Sequence, residues 1–103
     1  MGISNYLPMR LENDKAIFLK KTIQELQAAS RVLLFGSRTD DQKKGGDIDI
    51  LVLGERKLSF TEIIKIQTLF WKRFGEQKLD VVSFAFHEQA PFKELALENA
   101  IEL

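Results

Sequence analysis

Apolar residues fall along this chain in two rhythms. Ala16, Leu19, Ile23 and Leu26 recur at three- and four-residue spacing, which predicts an amphipathic helix over 14–29. Asn13 and Asp14 stand where a helix start takes its cap. Val32-Leu33-Leu34-Phe35 is a short β-prone run. With Arg31 it reads as a strand over 31–35, halted by Gly36-Ser37. Residues 38–46 are polar and read as a loop. Residues 47–53 alternate at first and then become wholly apolar, the pattern of a buried strand, and Gly54 ends it.

The helical rhythm then returns. Ser59 and Glu62 form a Ser-x-x-Glu capping box. Behind it Phe60, Ile63, Ile64, Phe70, Trp71 and Phe74 mark the apolar face of a helix over 60–74, widened by Ile66 and Leu69. Gly75 is placed to cap its end. Residues 78–84 form a third strand, Leu79-Asp80-Val81-Val82-Ser83-Phe84. Pro91 suits the first turn of a last helix, with Phe92, Leu95, Ala96 and Asn99 on one side. The order α-β-(loop)-β-α-β-α predicts an α/β (α+β) domain, a three-stranded or slightly larger mixed sheet flanked by helices. Residues 1–12, broken by Pro8, are expected to be an irregular lead-in, and 13–103 a single domain.

Composition narrows the classes. The chain has 103 residues, 45% of them hydrophobic and 29% charged, with 15 Lys plus Arg against 15 Asp plus Glu. A balanced charge argues against holding extended nucleic acid, which calls for a basic face. There are no cysteines, so disulfides and thiolate metal sites are excluded. No apolar run approaches the roughly 20 residues of a membrane span. Met1 to Arg10 lacks the layout of a signal peptide, so a cytoplasmic setting is expected. A domain of this size leaves little room for an acceptor pocket of its own.

The chemistry lies in acidic residues. Asp47 and Asp49 are two apart in a predicted strand, so their side chains share one face, while Ile48 and Ile50 face the core. Two fixed carboxylates side by side call for a cation or a proton between them. The strands over 47–53 and 78–84 are joined by one helix, the usual crossover between parallel neighbours. That brings Asp80, near the start of its strand, to the same sheet end. The strands over 31–35 and 47–53 are joined by a loop and read as antiparallel, which sets Gly36-Ser37 beside Asp47. Backbone N–H groups after this turn, with the Ser37 hydroxyl, could hold phosphate oxygens. Hard oxygen ligands select Mg²⁺ or Mn²⁺, and two such ions suit an in-line displacement at phosphorus.

The segments Leu34-Phe35-Gly36-Ser37-Arg38 and Asp47-Ile48-Asp49-Ile50, followed by Asp80 on a later strand, resemble the nucleotidyltransferase superfamily of the DNA polymerase beta type, and its minimal members in particular. The resemblance covers residues 31–84. It implies that Asp47, Asp49 and Asp80 are catalytic metal ligands, with Asp80 also a base for the attacking hydroxyl. It implies that Gly36, Ser37 and Arg38 bind the nucleotide's phosphates. The expected reaction transfers a nucleoside monophosphate, AMP from ATP, to a hydroxyl with Mg²⁺ or Mn²⁺. The resemblance also implies a HEPN-domain partner in a toxin–antitoxin pair, whose tyrosine would be adenylylated. One alternative is a non-catalytic subunit that binds nucleotide or neutralises that partner. Another is a hydroxyl-directed antibiotic transferase, which needs more chain. Gly45-Gly46 departs from the pattern, where a polar residue often precedes the first Asp. His87, the single histidine, is expected at the surface. Phe60, Phe70, Trp71 and Phe74 are expected in core or partner packing.

Overall fold

The computed structural model describes residues 11–36 and 47–103. The predicted lead-in up to residue 10, and the loop over 38–46 with Gly45-Gly46, lie outside the described residues. Seven elements follow in order: α1 (Asn13–Leu26), β1 (Arg31–Phe35), β2 (Ile48–Gly54), α2 (Phe60–Phe74), β3 (Leu79–Ala85), α3 (Pro91–Leu97) and β4 (Ile101–Glu102). The sheet runs β3-β2-β1-β4, an α+β fold. β1 is antiparallel to β2 and β2 is parallel to β3, with α2 as the crossover. Both pairings follow the connection lengths.

The sheet separates two cores. Val32, Leu34, Ile48, Ile50, Val52, Leu79 and Val81 pack under α1 and α2, whose Leu19, Ile23, Ile66 and Phe70 are fully enclosed. Leu33, Leu51, Leu53 and Phe84 turn to the other side, where Ala96 of α3 covers them. The nearly unbroken apolar run of β2 is thus explained: it is an inner strand covered on both faces.

The helix ends differ from expectation at α1. Neither Asn13 nor Asp14 is the cap; Glu12 is, and no side chain caps this end. Lys15 and Ala16 donate their N–H groups to the Glu12 carbonyl, and the Asp14 carboxylate accepts from the Lys15 N–H. The helix predicted over 14–29 stops at Leu26 because Gln27 is extended. The Gln27 side chain is engaged elsewhere, accepting the Arg56 N–H and donating to the Arg56 carbonyl.

At α2 the capping box forms as predicted. The Ser59 hydroxyl accepts the Glu62 N–H at 3.1 Å, and Glu62 accepts the Ser59 N–H at 2.8 Å. Arg56 adds a two-pronged contact to Glu62 at 2.9 Å on each oxygen. Arg56, then the Ser59 N–H, hold the Glu62 carboxyl down at about 2. Because that folded value is depressed, the stabilisation is present above the ordinary carboxylate range and fades as pH falls toward about 2. Ser59→Ala is expected to cost about 1 kcal/mol, a fall of about 4 °C in a thermal melt.

The broad apolar face predicted for α2 divides. Ile66 and Phe70 are buried, with Ile63 and Phe74 packed against the same core. Phe18 of α1 meets Phe74 edge-on at 5.4 Å. Phe60, Ile64 and Trp71 instead stay at the surface, Phe60 being 76% exposed. β4 was not anticipated. It pairs with β1 at Leu34↔Ile101, locked by a 2.8 Å ion pair between Arg31 and Glu102. α3 is pinned by Lys93, whose ammonium donates to the carbonyls of Ala85, Phe86 and Glu88.

Candidate functional site

Strand register builds the site. The parallel pairing of β2 with β3 sets Asp49 against Asp80, and the antiparallel pairing of β1 with β2 sets Phe35 against Asp49. Residues paired in this way share a face, and neighbouring strands lie about 4.8 Å apart. Asp80, Asp49 and Phe35 therefore form one row across the sheet, on the side that carries α3. Asp47 precedes β2 rather than lying inside it. It is held close because the Ile48 N–H donates to the Lys78 carbonyl at 2.9 Å. The Lys78 ammonium reaches both outer carboxylates, 3.9 Å from Asp47 and 3.9 Å from Asp80.

The charge of this row is poorly compensated. The Asp49 carboxyl is raised above its ordinary value, first by burial and then by the negative charges of Asp80 and Asp47; Lys78 opposes the shift. A carboxyl that resists ionisation among other carboxylates marks a place that would take a cation. Among the described residues, no three acidic or imidazole side chains are gathered so as to hold a metal ion as they stand. Lys78 holds the intervening positive charge. The donor set itself is all oxygen, which fits a hard divalent ion.

Gly36 closes the row from the β1 side. Its φ is +80°, and a Cβ built there would lie 2.5 Å from an Asp49 carboxylate oxygen. The backbone thus passes directly against Asp49, an approach that only glycine allows. Ser37 and Arg38, the other expected phosphate ligands, lie outside the described residues. The structure brings Gly36, Asp47, Asp49 and Asp80 to one end of the sheet. His87 is exposed in the turn after β3, at the opposite end of that strand from Asp80.

Lys78 was missed by sequence reasoning. Its signal was available: Lys78 and Asp80 are two apart, like Asp47 and Asp49, so alternation puts them together. A second missed feature is a cavity of about 260 Å³ beside Gly36, between the end of β1 and α3.

A mixed sheet thus brings carboxylates from two parallel strands and a glycine of positive φ to one end of an α+β domain. Residues 18–103 match the family described as Polymerase beta, Nucleotidyltransferase, and the chain belongs to that family. No curated protein matches the chain. The match extends beyond the motif-bearing segment to α3 and β4. It makes this a nucleotidyltransferase domain, of a family that generally uses a divalent metal and a nucleoside triphosphate. Among the described residues, no helix is long and apolar enough to cross a membrane.

Proposed function

We propose that this domain transfers AMP from ATP, with Mg²⁺ or Mn²⁺, to a hydroxyl on a partner protein of the HEPN type, acting in the cytoplasm as the antitoxin of a toxin–antitoxin pair. The observation that carries the catalytic part is the register of Asp49 with Asp80, with Gly36 packed on Asp49. Exposed Phe60, Ile64 and Trp71 are compatible with a protein partner.

In this reading Asp47, Asp49 and Asp80 hold the metal, and Gly36, Ser37 and Arg38 hold the phosphates. A divalent cation bound there would polarise the transferring phosphoryl group and offset its charge. Asp80 is the most peripheral of the in-register pair and half exposed, so an incoming hydroxyl can reach it. It accepts the hydroxyl proton as the acceptor oxygen bonds to the α-phosphorus. The bond from that phosphorus to the bridging oxygen breaks, and pyrophosphate leaves. Lys78 would yield its carboxylate contacts to a cation bound there, which would cost little for an exposed pair at 3.9 Å.

One observation favours a second reading, a subunit that binds nucleotide or neutralises its partner without transfer. The Lys78 ammonium already stands between Asp47 and Asp80, where a cation would otherwise sit. Mass spectrometry separates the two. The protein is mixed with labelled ATP, Mg²⁺ and a HEPN-domain partner. A gain of AMP units on the partner, absent with Asp47→Asn, supports transfer; a tight complex with no gain supports the second reading. Separately, Mg²⁺ with ATP at a hundred times their dissociation constant should add about 2.7 kcal/mol of stability, or about 10 °C in the melt. An unchanged melting temperature at millimolar concentrations of both would sink transfer and nucleotide binding alike, leaving only neutralisation of the partner.

A further inference from the structure

Beside Gly36 lies a cavity of about 260 Å³ that the roles assigned so far leave unused, lined by Phe35, Phe92, Leu95, Glu98 and Asn99. We infer that it is the adenine subsite of the nucleotide, an assignment that rests on the transfer reading above.

Position is the first argument. Phe35 is in register with Asp49, and Gly36 lines the cavity while touching the Asp49 carboxylate. The cavity therefore begins one strand spacing, about 5 Å, from the acidic row. It lies on the side away from Asp80. A nucleotide with its phosphates at Asp49 and Gly36 has this cavity within reach of a base folded back over them.

Size and walls give the second. Pockets that enclose a whole drug-sized ligand start at roughly 300 Å³, so this one suits a single ring system. Phe92 is 48% exposed and Leu95 is 66% exposed, an unusual amount of apolar surface to leave open beside a polar site. Phe92 is held edge-on to Phe35 at 5.8 Å and stacked on Phe84 at 6.4 Å. An aromatic ring fixed in this way is a platform on which a base can stack.

The rim supplies the selection. A carboxylate can only accept, so Glu98 takes any base with an amino group, adenine, cytosine or guanine, in preference to uracil. An asparagine amide both donates and accepts, the pattern that pairs with N6 and N7 of adenine. Uracil offers no amino group to Glu98, and guanine presents an acceptor at the position of the adenine amine.

The test uses calorimetric binding of ATP, GTP, CTP, UTP and inorganic tripolyphosphate, each with Mg²⁺. Expected is ATP binding at least tenfold tighter than tripolyphosphate and tighter than the other three nucleotides. Leu95→Trp fills the cavity from an exposed position and should weaken ATP about tenfold, the loss of one stacked base, while leaving tripolyphosphate unchanged. Asn99→Ala, at an exposed rim position that spares the fold, should reduce the preference of ATP over GTP. Tripolyphosphate bound as tightly as ATP, with Leu95→Trp silent, overturns the adenine subsite and leaves the phosphate site standing. A preference for GTP overturns the adenine assignment. Failure of every ligand, tripolyphosphate included, overturns the transfer reading together with this one.

Discussion

Asp49→Asn is expected to lower AMP transfer about 10³-fold, the loss of several kcal/mol of charge stabilisation at the transferring phosphoryl group, while raising the melting temperature of the metal-free protein. The two effects have one cause. Burial and the neighbouring Asp80 and Asp47 raise the Asp49 carboxyl above its ordinary value. A carboxyl raised on folding stabilises the fold fully below its unfolded value of about 4 and loses that contribution as pH climbs through the folded value. As pH rises past the unfolded value, Asp49 therefore works increasingly against the fold. Asparagine keeps the shape and removes the charge. Melts of the metal-free protein from pH 4 upward should decline less steeply for Asp49→Asn than for the native chain. Added Mg²⁺ should stabilise the native chain and do little for the variant. A substitution that merely damaged the sheet would lower activity and stability together. Lower stability in Asp49→Asn at pH 7 would therefore contradict the picture of an acidic row that Lys78 offsets only in part.

The same row explains what could be read from the sequence. β1, α2 and the crossover to β3 follow from spacing alone, because a run of apolar residues covered on both faces leaves little choice of element. Asp49 and Asp80 were legible as partners because a single helix between two strands enforces parallel pairing. Other features depended on contacts between distant residues. α1 ends early because the Gln27 side chain is drawn to Arg56, twenty-nine positions on. β4 is two residues long, too short for alternation to show, and exists through its pairing with β1 and the Arg31–Glu102 ion pair. The outward position of Phe60, Ile64 and Trp71 was hidden because an apolar residue looks the same whether a core or open surface receives it. The cavity at Phe35 and Phe92 is of the same kind, since it is made by α3 folding back on the end of β1.

Gly36→Ala is expected to reduce transfer about a hundredfold, because a shift of about 1 Å at a reacting group can cost that much. The new Cβ would lie 2.5 Å from an Asp49 carboxylate oxygen and 3.3 Å from its carbon, so either the strand end or the carboxylate must move. The same change asks an alanine to hold a φ of +80°, a left-handed conformation that costs about 1–2 kcal/mol. These two contributions can be separated. In an Asp49→Ala background the carboxylate is gone, so the clash disappears while the backbone cost remains. Chemical denaturation of the four proteins forms a double-mutant cycle. Gly36→Ala should destabilise the native chain more than it destabilises Asp49→Ala. Equal costs in the two backgrounds would mean that Gly36 serves its turn alone, and that its close approach to Asp49 does not hold the carboxylate in place. A larger cost in the native background ties the glycine of the turn to the acid of the neighbouring strand. The glycine turn and the acidic row would then be one unit, in which neither can shift without the other.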